Sequence, residues 1–131
     1  MIVVDTNILA HFWLPSDQSQ KSDLVFNKDS DWVAPILWKS EFRNVVTLYL
    51  RKKLIDITQA ILIMEKVERQ MRDHQFEVNS IQILDLVYRS NCSAYDCEFV
   101  GLAKDLNTKL ITLDKSILRE FPDLALHPDA F

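Results

Sequence analysis

Two short apolar runs constrain this chain more than any other feature. Met1 to Asp5 and Lys109 to Leu113 are rich in β-branched residues, and both are followed by helical spacing. Met-Ile-Val-Val runs into Asp5, and Leu-Ile-Thr-Leu runs into Asp114. Runs this short, with no apolar–polar alternation, fit strands buried on both faces. Further strand and helix signals alternate between them, and such an alternation folds as βαβ units. The expected fold class is therefore α/β, with a mostly parallel sheet and helices on both faces.

The expected elements follow from periodicity and from stop signals. Thr6 to Trp13 takes helical spacing until Leu14-Pro15 ends it, and a second helix is expected from about Asp17 to Lys28 with Ser16 as its cap. Trp32 to Ala34 reads as a very short strand, after which Pro35 suits the first position of a long helix to about Lys53. Thr58 is expected to open another helix to about Gln75, and Phe76 to Asn79 is a strand candidate. Ser80 and Ser93 are expected to cap the next two helices, the second running from Ala94 to about Leu106. A short helix from Lys115 to Glu120 and a strand at Leu124 to Leu126 complete the expectation.

Composition narrows the function classes. The chain has 131 residues, 48% of them hydrophobic, which suits one domain over 1–131 with a substantial core. Its single glycine excludes the glycine-rich loops that cradle phosphate with backbone amides, and the serine-hydrolase elbow with them. No apolar run approaches the roughly 20 residues of a membrane span. The opening run has no basic leader, and Cys92 and Cys97 fit no zinc or redox spacing, so a cytoplasmic protein with reduced thiols and no membrane partner is expected. The formal net charge of -4 argues against nucleic-acid binding by bulk positive charge, though a bound cation can reverse the field at one site.

Four acids carry the chemistry. A parallel α/β sheet binds ligands beyond the carboxyl ends of its strands, where Asp5 and Asp114 fall. Either could equally be the N-cap of the helix that follows it. Glu41 lies on the apolar stripe of its helix with Leu37, Val45 and Leu48, so it needs a cation, a metal or a route to solvent; Lys39 and Arg43 are its possible ion-pair partners. Asp96 sits at the third position of a helix that Ser93 would cap, a position that also reaches the same sheet edge. Four carboxylates at one edge repel one another, and a hard divalent cation, Mg2+ or Mn2+, removes that conflict. The reaction that follows is metal-assisted phosphodiester hydrolysis.

Asp5-Thr6-Asn7 after an opening strand, Ser40-Glu41 in the third helix, Tyr95-Asp96 with Val100 to Ala103 after it, and Thr112-Leu113-Asp114 together resemble the PIN-domain nucleases. The similarity covers nearly the whole chain and is greatest to the compact ribonuclease toxins of the VapC type. The resemblance implies a PIN-like three-layer α/β/α sandwich that cleaves RNA endonucleolytically. It implies that Asp5, Glu41, Asp96 and Asp114 bind Mg2+ or Mn2+, with Asn7 and Thr112 supporting them through hydrogen bonds. It also implies a cognate antitoxin protein and a homodimer. Cys97-Glu98 after Asp96 departs from the smaller or apolar residues common there, and Glu98 would add charge at the rim.

Two other readings remain. The chain could be a stand-alone RNA-processing nuclease of the same fold without an antitoxin, or a non-catalytic α/β interaction module whose acids are only caps and ion-pair partners. Lys104, Lys109, Lys115 and Arg119 are the expected RNA-backbone contacts, whereas Arg51-Lys52-Lys53 reads equally well as a solvated helix end. Trp13, Trp32 and Trp38 suit core or dimer contacts better than base stacking.

Overall fold

The computed structural model describes all 131 residues. The chain runs β1 (Ile2–Val4), α1 (Thr6–Trp13), α2 (Ser19–Lys28), β2 (Trp32–Pro35), α3 (Trp38–Arg51), α4 (Ile57–Met71), β3 (Gln75–Phe76), α5 (Ser80–Tyr88), α6 (Ala94–Asp105), β4 (Leu110–Ile111), α7 (Lys115–Glu120) and β5 (Ala125–Leu126), and ends in a 3-10 turn at Pro128–Ala130. The five strands form one sheet in the order β3-β2-β1-β4-β5. Every pairing is parallel. Val3 faces Val33 on one side and Leu110 on the other, which makes β1 the central strand.

The order decides where the helices lie. The connections β1–β2 and β2–β3 step in one direction, and the β3–β4 connection crosses back over the sheet. Right-handed crossovers therefore place α1 to α4 on one face and α5 to α7 on the other. The packing agrees: α1 contacts α3 and α4, while α6 lies against β1, β2 and β4. The result is a three-layer α/β/α sandwich. Its buried apolar residues form one cluster, with Trp32, Trp38, Phe42 and Phe99 its largest fully buried members.

Several element boundaries differ from the sequence expectation. Pro35 ends β2 rather than opening α3; it cannot donate to the ladder, and Ile36 N donates to Phe76 O at 3.0 Å in the next position. Asp56 caps α4, which thus starts before Thr58: Asp56 Oδ1 accepts from Gln59 N at 2.7 Å and Gln59 Oε1 accepts from Asp56 N at 2.9 Å. Asn79, not Ser80, caps α5, because its Oδ1 reaches both Ile81 N and Gln82 N. β3 begins at Gln75, shortening α4, and Ser16 accepts from Gln18 N at 3.0 Å ahead of α2 rather than capping it. Ser93 caps α6 as expected, accepting from Asp96 N at 3.0 Å.

The single glycine serves packing. A Cβ on Gly101 would lie 2.9 Å from Ile83 Cδ1 and 3.3 Å from Gln82 Oε1, so its absence lets α6 approach α5 closely.

Candidate functional site

β1 connects toward one edge of the sheet and β4, beside it, connects toward the other. This divergence leaves a crevice at their carboxyl ends, the place where open α/β sheets bind ligands. Asp5 follows β1 and Asp114 lies just beyond β4. Glu41 comes from the first turn of α3 and Asp96 from the first turn of α6. The four carboxylates line one cleft of about 300 Å3, together with Thr6, Asn7, Asn44 and Val45.

Hydroxyl groups fix the acids. Thr112, fully buried, donates its hydroxyl to Asp5 Oδ2 at 2.6 Å and accepts from Asp114 N at 3.0 Å, so one side chain joins the ends of β1 and β4. Thr6 donates its N–H to Asp5 Oδ1 at 2.8 Å and its hydroxyl to Glu41 Oε1 at 2.8 Å, which ties α1 to α3. Asn7 Nδ2 donates to Asp5 Oδ2 at 3.4 Å. Asp114 Oδ1 accepts from Ile117 N at 2.9 Å, so this acid caps α7 and lines the cleft at once. The alternatives of cap and site residue are not exclusive: Asp114 caps with one carboxylate oxygen and leaves the other free, and Asp5 accepts from Thr6 N with one and from Thr112 and Asn7 with the other.

Electrostatics in the cleft run one way. Burial pushes the Asp5 carboxyl up to about 7, with the charges of Glu41 and Asp96 adding to the rise and the Thr112 and Thr6 hydrogen bonds opposing it. Burial likewise raises Glu41, helped by Asp96 and Glu98, and raises Asp96, helped by Asp114. The alternative ion pair of Glu41 with Lys39 or Arg43 is not made. Both cations turn to Glu68, at 3.8 and 3.9 Å, and no Lys, Arg or His is paired with any of the four acids.

The donor set suits a hard cation. All of its members are oxygens, and Glu41 Oε2 and Asp114 Oδ2 take no bond from the chain. Asn7, which also lines the cleft, has its Oδ1 buried with no hydrogen-bond partner. The acids do not already converge as a group of three ligands about one point.

Other sequence expectations fare unevenly. Glu98 faces the neighbouring groove with Ile36, Val78 and Leu84; at about 490 Å3 that groove is the largest on the molecule, yet it contains none of the four acids. Lys109 precedes β4, at the opposite edge of the sheet, and donates to Asp123 O at 2.6 Å. Lys104 lies eight residues beyond Asp96 on α6, roughly 12 Å down its axis. Neither of these lysines stands at the cleft. Lys115, the first residue of α7, does follow Asp114 at the correct edge. Trp32 and Trp38 are fully buried and cannot stack on bases. Sequence reasoning missed Thr6 as the link between Asp5 and Glu41; the Asp5-Thr6-Asn7 motif contained it, but its partner lies 35 residues away.

Comparison with known proteins places this architecture. The family model described as PIN domain matches residues 2–124. Ribonuclease VapC3 of Pyrobaculum aerophilum is 22% identical over 126 residues, covering 94% of this chain and 96% of that protein. The crystal structure of FitAcB from Neisseria gonorrhoeae superposes with a TM-score of 0.78 at 14% identity, over 100% of both chains. PAE2754 from Pyrobaculum aerophilum gives 0.74 at 17% identity, over 95% of this chain and 81% of that one.

Proposed function

The chain belongs to the PIN-domain family, and from that premise we propose that it is a metal-dependent endoribonuclease acting as the toxin of a toxin–antitoxin pair. The observation that carries the reading is a cleft with four carboxylates, no cationic side chain paired to them, and the orphaned Asn7 Oδ1. A purely structural set of caps and ion-pair partners would not leave four carboxylates lining one cleft with no cation paired to them, and so the non-catalytic module is disfavoured. Near full-length similarity to a protein named as a VapC ribonuclease supports the toxin form over a stand-alone processing enzyme.

Asp5, Glu41, Asp96 and Asp114 would hold Mg2+ or Mn2+, with Asn7 supporting Asp5 through its side-chain amide N–H. When bound, the ion supplies Lewis-acid polarisation of a phosphoryl oxygen and lowers the pKa of a coordinated water. Thr112 holds Asp5 and Asp114 in register, and Thr6 holds Asp5 and Glu41, so the carboxylates keep fixed positions while the phosphodiester reacts. Lys115, at the same edge, is placed to meet the RNA backbone. In the net reaction a P–O bond forms to water oxygen, a P–O bond to ribose breaks, and the water proton ends on the leaving oxygen.

Purified protein should cut a structured RNA only with Mg2+ or Mn2+, and Asp5→Asn and Asp96→Asn should each abolish cutting. Metal-independent cleavage that survives both substitutions would sink the assignment. An antitoxin is tested by co-purification of a small protein encoded beside this one, and a homodimer by light scattering. A cytoplasmic location is part of the same reading; no helix is long and apolar enough to cross a membrane.

A further inference from the structure

Beside the acidic cleft lies a second depression of about 280 Å3, lined by Leu37, Ser40, Glu41, Asn44 and Tyr95. Glu41 and Asn44 line both hollows, so the two are neighbours. Tyr95 immediately precedes Asp96 at the start of α6 and is 62% exposed. An aromatic ring left in solvent contributes nothing to the core, and this one forms a wall of the depression. Ser40 and Asn44, both from α3, line it as well. Hydrogen bonds from side chains of α3 are made by Trp38, Glu41, Thr47 and Tyr49, which leaves the Ser40 hydroxyl and the Asn44 amide unspent.

The chemistry of these groups is that of an unpaired base. A nucleobase offers a π face to an aromatic ring and a row of donors and acceptors along its edge, and single-stranded RNA is recognised through both. We propose that this depression is the subsite for the unpaired base flanking the scissile phosphate, with Tyr95 stacking on its face and Asn44 and Ser40 meeting its edge. The inference rests on the nuclease reading of the acidic cleft, since the phosphate must sit over Asp5 and Asp96 for its base to reach Tyr95. A base paired within a duplex cannot offer its face to Tyr95, so this contact is open only to bases in loops and single-stranded segments.

The test uses a hairpin RNA whose cleavage position in the loop has been mapped, and the same RNA with an abasic residue flanking that position. Steady-state cleavage is followed in Mn2+ for the wild type, Tyr95→Phe, Tyr95→Ala and Asn44→Ala. Tyr95→Ala should raise KM by roughly 5- to 150-fold, the range that loss of one base–aromatic stack corresponds to, with kcat much less affected. Tyr95→Phe should keep the wild-type KM. The abasic RNA should impose the same penalty on the wild type and no further penalty on Tyr95→Ala, because the two changes remove one contact. Tyr95 is exposed, and an unchanged Tm confirms that its variants fold. If Tyr95→Ala cuts both RNAs with wild-type KM while Asp96→Asn is inactive, the subsite is wrong and the nuclease reading stands. If Asp96→Asn cuts the hairpin as the wild type does, with or without Mn2+, both fall together.

Discussion

Thr112 is fully buried, and its hydroxyl is spent on Asp5 and on the Asp114 backbone. Thr112→Val keeps the shape and removes both bonds, leaving Asp5 Oδ2 and Asp114 N short of a partner. Unfolding in denaturant should show a loss of about 1–3 kcal/mol, and cleavage should fall more steeply than stability because two carboxylates lose their registration. Thr112→Ser should recover most of the activity. Asp5 carries a second prediction. Its carboxyl is raised to about 7 in the fold from an ordinary 3.8, so between those values the unfolded chain gives up a proton that the folded chain keeps. In chelator, stability should therefore decline as pH rises from about 4 to about 7 and then level off, with a slope from this group of at most about 1.4 kcal/mol per pH unit. Asp5→Asn should flatten part of that decline; an unchanged pH profile would show that Asp5 is already ionised in the empty protein. Glu41 and Asp96, shifted in the same direction, account for the remainder.

At the scale of elements, α6 does two jobs. Its N-terminus presents Asp96, fixed through the Ser93 cap, and its middle packs on α5 through Gly101. Gly101→Ala should change stability by less than ~1 kcal/mol, because the gain in helix propensity offsets moving Ile83 Cδ1, the end of a flexible side chain. Gly101→Leu has no such escape and should cost about 1–3 kcal/mol by overpacking, measured by thermal unfolding. The elements themselves were largely legible. β1, α1, α6 and α7 fall where β-branched runs, periodicity and stop signals put them. The misread starts at Asp56 and Asn79 share a cause: nearby polar residues could each open the helix, and the cap went to the one whose side chain reached a backbone donor, whereas at Pro35 the strand ran through the proline and α3 opened at Trp38.

For the whole molecule, the carboxylates are held together against charge repulsion by threonine hydroxyls and by the packing of three layers. A bound cation should relieve that repulsion. Mn2+ in large excess should raise the unfolding free energy of the wild type, by about 2.7 kcal/mol at 100 times the dissociation constant, and calorimetry should register binding. A double variant, Asp5→Asn with Asp114→Asn, should lose the stabilisation by Mn2+ while remaining folded in chelator. No response of wild-type Tm to Mn2+ or Mg2+ would remove the metal from the mechanism.

The sequence by itself determined the alternation of strand and helix, the placing of an aspartate after each of two buried strands, and the lack of any glycine loop to grip phosphate. These are local matters of periodicity, turn chemistry and composition. Only the tertiary structure decided that β1 lies between β2 and β4, and this pairing joins residues 107 apart into the Asp5–Thr112 hydrogen bond. It also decided that Glu41 meets the hydroxyl of Thr6 while Lys39 and Arg43 turn to Glu68. Periodicity records which face of an element is apolar. Which strand it pairs with, and which polar group waits across the crevice, depends on crossover handedness and packing between distant segments, which no local pattern carries.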